Sequence, residues 1–292
     1  MRDSFVRTTT ALLDDDPRTA LVLADISAAA FSPAATRHPD RVLNMGIREQ
    51  LMLSVAGGLA MTGLRPFVHS YATFVVDRAY EQIKLDLGHQ DVGAVLVSVG
   101  ASYDGSRYGY THFSPGDVAL LDTLDGWTVQ VPGHPDEVAA MLSTAAKRDN
   151  RIYIRLSEQE NAAPRPVTGR LELIRPNGNP RAALVLAVGP MLDPVLAATE
   201  GMEVAVAYTN TPRPFDAAGL RATQRTTVVL VEPYLAGTSS RAVSDALSDL
   251  PHRLLALGVD RADLHRYGTP ADHAHWHRLD PAGLRASIDA FV

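Results

Sequence analysis

One acid stands out by its setting. Glu49 lies in Asn44-Met45-Gly46-Ile47-Arg48-Glu49-Gln50, with the small apolar run Ser54-Val55-Ala56-Gly57-Gly58-Leu59-Ala60 behind it. Ile47, Leu51, Val55 and Leu59 fall at helical spacing. That predicts a helix with Glu49 in its first turn, and Gly57-Gly58 would let another backbone come close. Two chemistries compete for such a carboxyl. It can complement the positive end of a helix dipole, worth under ~1 kcal/mol. Alternatively it is a buried acid that hydrogen-bonds a ring nitrogen of a cofactor, with burial raising its pKa so that a proton stays available.

Other residues could share that chemistry. Asp25 ends the apolar run Ala20-Leu21-Val22-Leu23-Ala24. It would sit at the carboxyl end of a buried strand, where open α/β sheets hold ligands, or simply cap the segment after it. The stretch from Ala101 to Pro115 gathers Tyr103, Tyr108 and Tyr110 with Arg107 and His112. A polar and aromatic loop between a strand and a helix is a usual place for chemistry, although a lone His is more often structural. His273-Ala274-His275-Trp276-His277 has alternate spacing and little carboxylate support. It reads as a surface or interface segment rather than a metal site.

The elements that would position these residues alternate. Helices are expected near 3–14, 75–87, 117–124 and 135–147, and strands near 19–25, 66–69, 93–99, 128–132 and 152–156. The region from Ala162 to Arg181 is rich in Pro, Gly and Asn, and the alternation then restarts. The expected fold class is α/β, with two doubly wound three-layer α/β domains at 1–163 and 182–292 joined by a linker at 164–181. The second carries no Gly-rich phosphate loop.

The composition narrows the function. The chain has 292 residues, 46% of them hydrophobic and 21% charged, and a formal net charge of -6. That gives no electrostatic case for nucleic acid or an anionic membrane. Without cysteine, disulfides, thiolate metal sites and a Cys nucleophile are excluded. No apolar run approaches a membrane span and the N-terminus has no apolar leader core, so a cytoplasmic protein is expected.

The ordered motifs resemble the C-terminal half of transketolases and of 1-deoxyxylulose-5-phosphate synthase, which comprises the pyrimidine-binding and C-terminal domains of these thiamine diphosphate enzymes. The carrying segments are Asp14-Asp15-Asp16-Pro17-Arg18 leading into Leu23-Ala24-Asp25, the stretch Asn44-Met45-Gly46-Ile47-Arg48-Glu49-Gln50, Tyr71-Ala72-Thr73-Phe74 with Arg78-Ala79-Tyr80-Glu81-Gln82, and Thr111-His112 with Gly116-Asp117-Val118-Ala119-Leu120-Leu121. The resemblance covers essentially the whole chain. It implies that Glu49 hydrogen-bonds the cofactor's pyrimidine N1′, so that the cofactor's own amino group can act as base. It gives Phe74 the stacking role with Tyr71 beside it, and Ile26 the position that wedges the cofactor into its bent shape. Asp25 and Arg78 complete the cofactor-binding set. His112 would lie near the reacting carbon to relay protons or polarise a substrate oxygen.

The departures are informative. Where transketolases carry an Arg in a Leu-Ser-Arg-Gln context, this chain has Leu156-Ser157-Glu158-Gln159. Gly100, Ala29 and Tyr108 stand where the resemblance places a phosphate-side His, a Ser and an acid that reads a substrate hydroxyl. The expected substrate side is therefore Arg107, Tyr108, Arg155 and Glu158, with an acceptor that is not an ordinary sugar phosphate. The family's Gly-Asp-Gly motif for Mg2+ and diphosphate does not occur. A split enzyme is expected, in which an N-terminal, diphosphate-domain subunit holds most of the Mg2+ site in an α2β2 assembly and a two-carbon ketol unit is transferred from a ketose to an aldehyde. The alternatives are a beta subunit of a 2-oxo acid dehydrogenase-like enzyme, which loads an acyl unit on a carrier, and a non-catalytic regulatory partner.

Overall fold

The computed structural model describes residues 1–292. The short apolar runs form strands because both faces are covered. Every residue of β1 (Thr19–Leu23) is buried, and it pairs in parallel with β2 (Val42–Asn44) and β3 (Arg65–Tyr71). With β4 (Val95–Val99), β5 (Trp127–Gln130) and β6 (Arg151–Arg155) they make a six-stranded parallel sheet in the order β2-β1-β3-β4-β6-β5. A five-stranded sheet follows, in the order β11-β10-β8-β9-β7. Its strands are β7 (Glu172–Arg175), β8 (Leu184–Val188), β9 (Ala205–Thr209), β10 (Thr227–Leu235) and β11 (Arg253–Val259). All are parallel except β7, which runs antiparallel to β9 at the edge.

Strand alternation sorts the core into layers. Leu21 and Leu23 pack with Phe5 and Leu13 of α1 (Arg2–Asp15), Phe31 of α2 (Ala28–Arg37) and Val138 of the helix Pro135–Ala146. Val22 and Ala24 face the other way, onto Met52, Leu53 and Ala56 of α3 (Glu49–Met61). In the second sheet, Val185 and Val206 lie against Val195, Leu284 and Ile288, while Leu186 and Leu230 lie against Leu220 and Val243. Each sheet is thus sandwiched between helices, the expected three-layer α/β architecture. One cluster of 31 buried residues runs without a break from α3 through Val129 and Val131 to Leu186 and Leu230, and so spans both sheets.

Several local expectations are corrected. The single helix expected over 75–87 is a short helical turn, Tyr80–Gln82, between π-helical segments Thr73–Asp77 and Ile83–His89. The stretch 164–181 is more than a linker, since it supplies β7. Backbone pairing to β9 orders residues whose Pro and Gly neighbours advertise a loop. The His-rich segment forms the helix Pro270–Trp276, started by a reciprocal capping box between Thr269 and Asp272. Rather than lying on the surface, His273 and His277 are buried and stack on Tyr103, with centroids 5.4 and 5.9 Å away.

Candidate active site

The carboxyl ends of β1 and β3 and the first turn of α3 meet at one cavity of about 270 Å³. Its lining includes Asp25, Ile26, Glu49, Tyr71, Phe74, Arg78 and His112, seven residues singled out from sequence, together with Ala24 and Ile47.

Glu49 is the buried polar group of the cavity, 1% exposed. Its Oε2 accepts from the Arg78 guanidinium at 2.7 Å, and its Oε1 has only a long 3.4 Å contact from Ser70 Oγ. One carboxyl oxygen is therefore weakly engaged. Arg78 also lies over the Phe74 ring, 4.1 Å from its centroid, so the ion pair and the aromatic wall are held together. The aromatic groups meet edge to face. His112 is 5.2 Å from Phe74 and 5.5 Å from Tyr71, and Tyr71 is 6.0 Å from Phe74. Burial lowers the pKa of His112, with the Arg78 charge adding to the effect. The ring is thereby favoured neutral, able to accept or donate a proton at different nitrogens. Phe74 belongs to a π-helical segment, a backbone irregularity found often at functional sites.

The strand end carries unusual backbone. Asp25 and Ser27 have φ of 63° and 64°, a left-handed conformation costly for residues with a Cβ. Two contacts hold it. The side chain of Asn44 accepts from the Asp25 N–H and donates to Asp25 Oδ1, both at 3.0 Å. Ser27 Oγ is 2.9 Å from Nε2 of the buried His69, whose Nδ1–H donates to the Val97 carbonyl at 2.8 Å. That leaves Nε2 as the acceptor of the Ser27 hydroxyl. Burial pushes His69 down to about 4, so it stays neutral. His69 and Asn44 were not among the sequence candidates, because nothing in their spacing links them to the end of β1.

A second cavity of about 430 Å³ adjoins the first, sharing Asp25, Ile26 and Tyr71. Arg107 and Glu158 line it, with Arg2 and Glu160. Tyr108 is 45% exposed, with its ring 4.8 Å from His112 and under the Arg107 guanidinium at 4.7 Å. Where the resemblance places a His, Gly100 has φ +70°, and a Cβ there would come within 2.3 Å of the Tyr71 ring. Tyr71 thus occupies the space of a side chain at position 100. Asp104, another residue missed in the sequence, accepts from the Glu158 N–H at 3.0 Å, and burial pushes its carboxyl up to about 7.

Arg155 is the candidate that the structure does not bring to the site. It is fully buried and pairs with Asp117 at 2.7 Å. It also donates to Ser102 Oγ at 2.7 Å and to the Ser114 carbonyl at 3.2 Å. Its Nε and Nη2 hold the ends of the 102–114 loop and it lines neither cavity, so the substrate role expected for it is withdrawn.

An acid buried at the mouth of a parallel sheet thus stands opposite an aromatic wall and a neutral His. Residues 1–163 match the family described as transketolase, pyrimidine binding domain, and the chain belongs to that family. It is 52% identical over 298 residues to an uncharacterized 33.6 kDa protein in the fasciation locus of Rhodococcoides fascians, covering 100% of this chain and 95% of that protein. It is 34% identical over 268 residues to the 1-deoxy-D-xylulose-5-phosphate synthase of Leptothrix cholodnii. That match covers 86% of this chain and 41% of the synthase, so the chain spans less than half of that relative's length. Among solved structures, a split gene transketolase described as an inactive beta4 tetramer superposes with a TM-score of 0.83 at 24% identity, covering 99% of this chain and 97% of that one. Transketolase from Campylobacter jejuni gives a TM-score of 0.81 at 17% identity, covering 99% of this chain and 46% of that one. No helix is long and apolar enough to cross a membrane.

Proposed function

We propose that this chain carries the pyrimidine half of the active site of a thiamine diphosphate-dependent, transketolase-like enzyme, and that a separate diphosphate-domain subunit holds Mg2+ and completes the site in an α2β2 assembly. The observation that carries this reading is Glu49, buried beside Phe74 with one weakly engaged carboxyl oxygen. The residues fit the cofactor's pyrimidine: an apolar wall from Ile26 and Ile47, an aromatic face from Phe74 and a buried carboxyl for the ring nitrogen. When bound, the cofactor would supply the carbon nucleophile that carries a two-carbon ketol unit. Glu49 would hold a proton at the pyrimidine nitrogen, with Arg78 fixing the carboxyl's orientation. Phe74 and Tyr71 would set the plane of the ring and exclude water. His112, neutral and at the rim, would pass a proton to or from a substrate oxygen.

The likeness to a split gene transketolase supports a separate partner. So do the apolar side chains exposed at the cavity end of α3, where Ile47 is 70% and Leu51 45% exposed. For the acceptor, Glu158 stands where the family carries an Arg, on a wall that also holds Arg2 and Arg107 and where Glu160 pairs with the Met1 amine; that replacement supports an acceptor other than an ordinary sugar phosphate. Normal turnover with sugar phosphates would overturn that part.

The main test is calorimetric. Thiamine diphosphate with Mg2+ is titrated into this chain alone and into its mixture with a diphosphate-domain chain. Binding only in the mixture is expected, whereas tight binding by the chain alone would overturn the partner requirement. In the mixture, Glu49→Gln should lower turnover by about 10²–10⁴-fold with assembly intact. Unchanged turnover would mean that Glu49 is structural.

A further inference from the structure

A larger cavity lies elsewhere. It encloses about 620 Å³ on the other side of the 102–116 loop, between that loop and the segment after β11. A volume of that size suits a small organic ligand. It shares none of the residues of the cofactor cavity, yet Thr73 and Thr111 on its wall are the chain neighbours of Phe74 and His112.

The chemistry of its wall is one-sided. Asp77, Asp260 and Asp263 line it, against the single guanidinium of Arg261. Asp77 Oδ2 accepts from a neutral donor, Ser114 Oγ, at 3.1 Å. The nearest basic group to Asp260 is His277 Nδ1 at 3.5 Å, and to Asp263 it is His265 Nδ1 at 3.3 Å. Tyr103, Tyr110 and Phe113 supply aromatic surface. His273, 1% exposed, is part of the same wall. Its Nε2–H donates to the Tyr267 carbonyl at 2.6 Å, and its Nδ1 has no hydrogen-bond partner. The cavity thus combines carboxylates with few close cations, ring faces and an unmet nitrogen.

We propose that this cavity is a second ligand site, selective for a protonated organic amine with a flat or apolar body. The ammonium would meet Asp77, and the body would lie against Tyr103 and Phe113, a pairing of charge with ring faces that desolvation strengthens. Partial desolvation and the neighbouring Asp117 charge push the Asp77 carboxyl up to about 6, against the hydrogen bonds of Ser114 and Thr73 and the Arg155 charge. The inference stands apart from the thiamine diphosphate reading, since it uses other residues and needs no partner chain.

The test uses the full chain and three probes of one shape: benzylamine, benzyl alcohol and phenylacetate, followed by calorimetry and ligand-observed NMR. Benzylamine should bind about tenfold more tightly than the alcohol, with phenylacetate weakest. Asp77→Asn should reduce benzylamine to the level of the alcohol, and Glu49→Gln, in the other cavity, should leave it unchanged. If Asp77→Asn does not fold, Asp263→Asn at the half-exposed rim serves, with a weaker loss of about threefold for benzylamine alone. Equal binding of the three probes, preference for phenylacetate, no binding at all, or loss on Glu49→Gln with no loss on the Asp variants would overturn the proposal.

Discussion

Glu49 and Arg155 are both buried charges, but their partners give them opposite tasks. Glu49 keeps an oxygen weakly engaged toward a cavity, while Arg155 spends its donors on Asp117, Ser102 and Ser114. Removing one member of a fully buried pair strands the other, at about 3–5 kcal/mol. Arg155→Ala should therefore lower the unfolding free energy by about that much in urea melts. Arg155→Met with Asp117→Leu should recover most of it. A substrate-binding Arg would instead leave stability nearly untouched. The setting of Glu49 was legible because the apolar spacing around it predicts burial at a helix start. Arg155 was misread because a charged residue ending a strand usually faces a ligand, and the partner that changes this is Asp117, 38 residues away. His69 was silent for the same reason, and Asn44, though part of the Glu49 stretch, gave no sign of its bonds to Asp25, since both do their work across strands.

At the scale of elements, the packing of α3 on the segment Ile83–His89 fixes where Glu49 stands. Gly57 makes it possible, because a Cβ there would come 2.7 Å from the Asp86 carbonyl oxygen, whereas Gly58 has nothing within 4 Å. Gly57→Ala should cost about 1–3 kcal/mol by forcing the two apart. Gly58→Ala should stabilise by about 0.5–1 kcal/mol through helix propensity. Urea midpoints of the two variants should move in opposite directions. The Gly-Gly pair announced a close approach in the sequence but not which glycine makes it. Helix α2 gave no periodic signal because its alanines suit any face, and β7 was hidden because edge pairing needs little apolar sequence.

For the whole molecule, buried acids set the response to pH. Glu232 is fully buried, and desolvation pushes its carboxyl up to about 7 from an ordinary 4.5. The folded chain holds this proton more tightly than the unfolded one. Its stabilising contribution is complete below about pH 4.5 and is lost as pH rises through about 7. Asp104, at about 7, and Asp77, at about 6, act in the same direction. Glu232→Gln should flatten the fall in stability between pH 5 and 8 by up to about 3 kcal/mol, read from urea melts at each pH. The apolar cluster that runs from α3 to β8 and β10 bears on the same property. Neither sheet can open without uncovering side chains that the other also uses, so the thermodynamic unit is larger than either sheet. Cooperativity, rather than a tether, is what couples the Glu49 cavity to the C-terminal half of the chain.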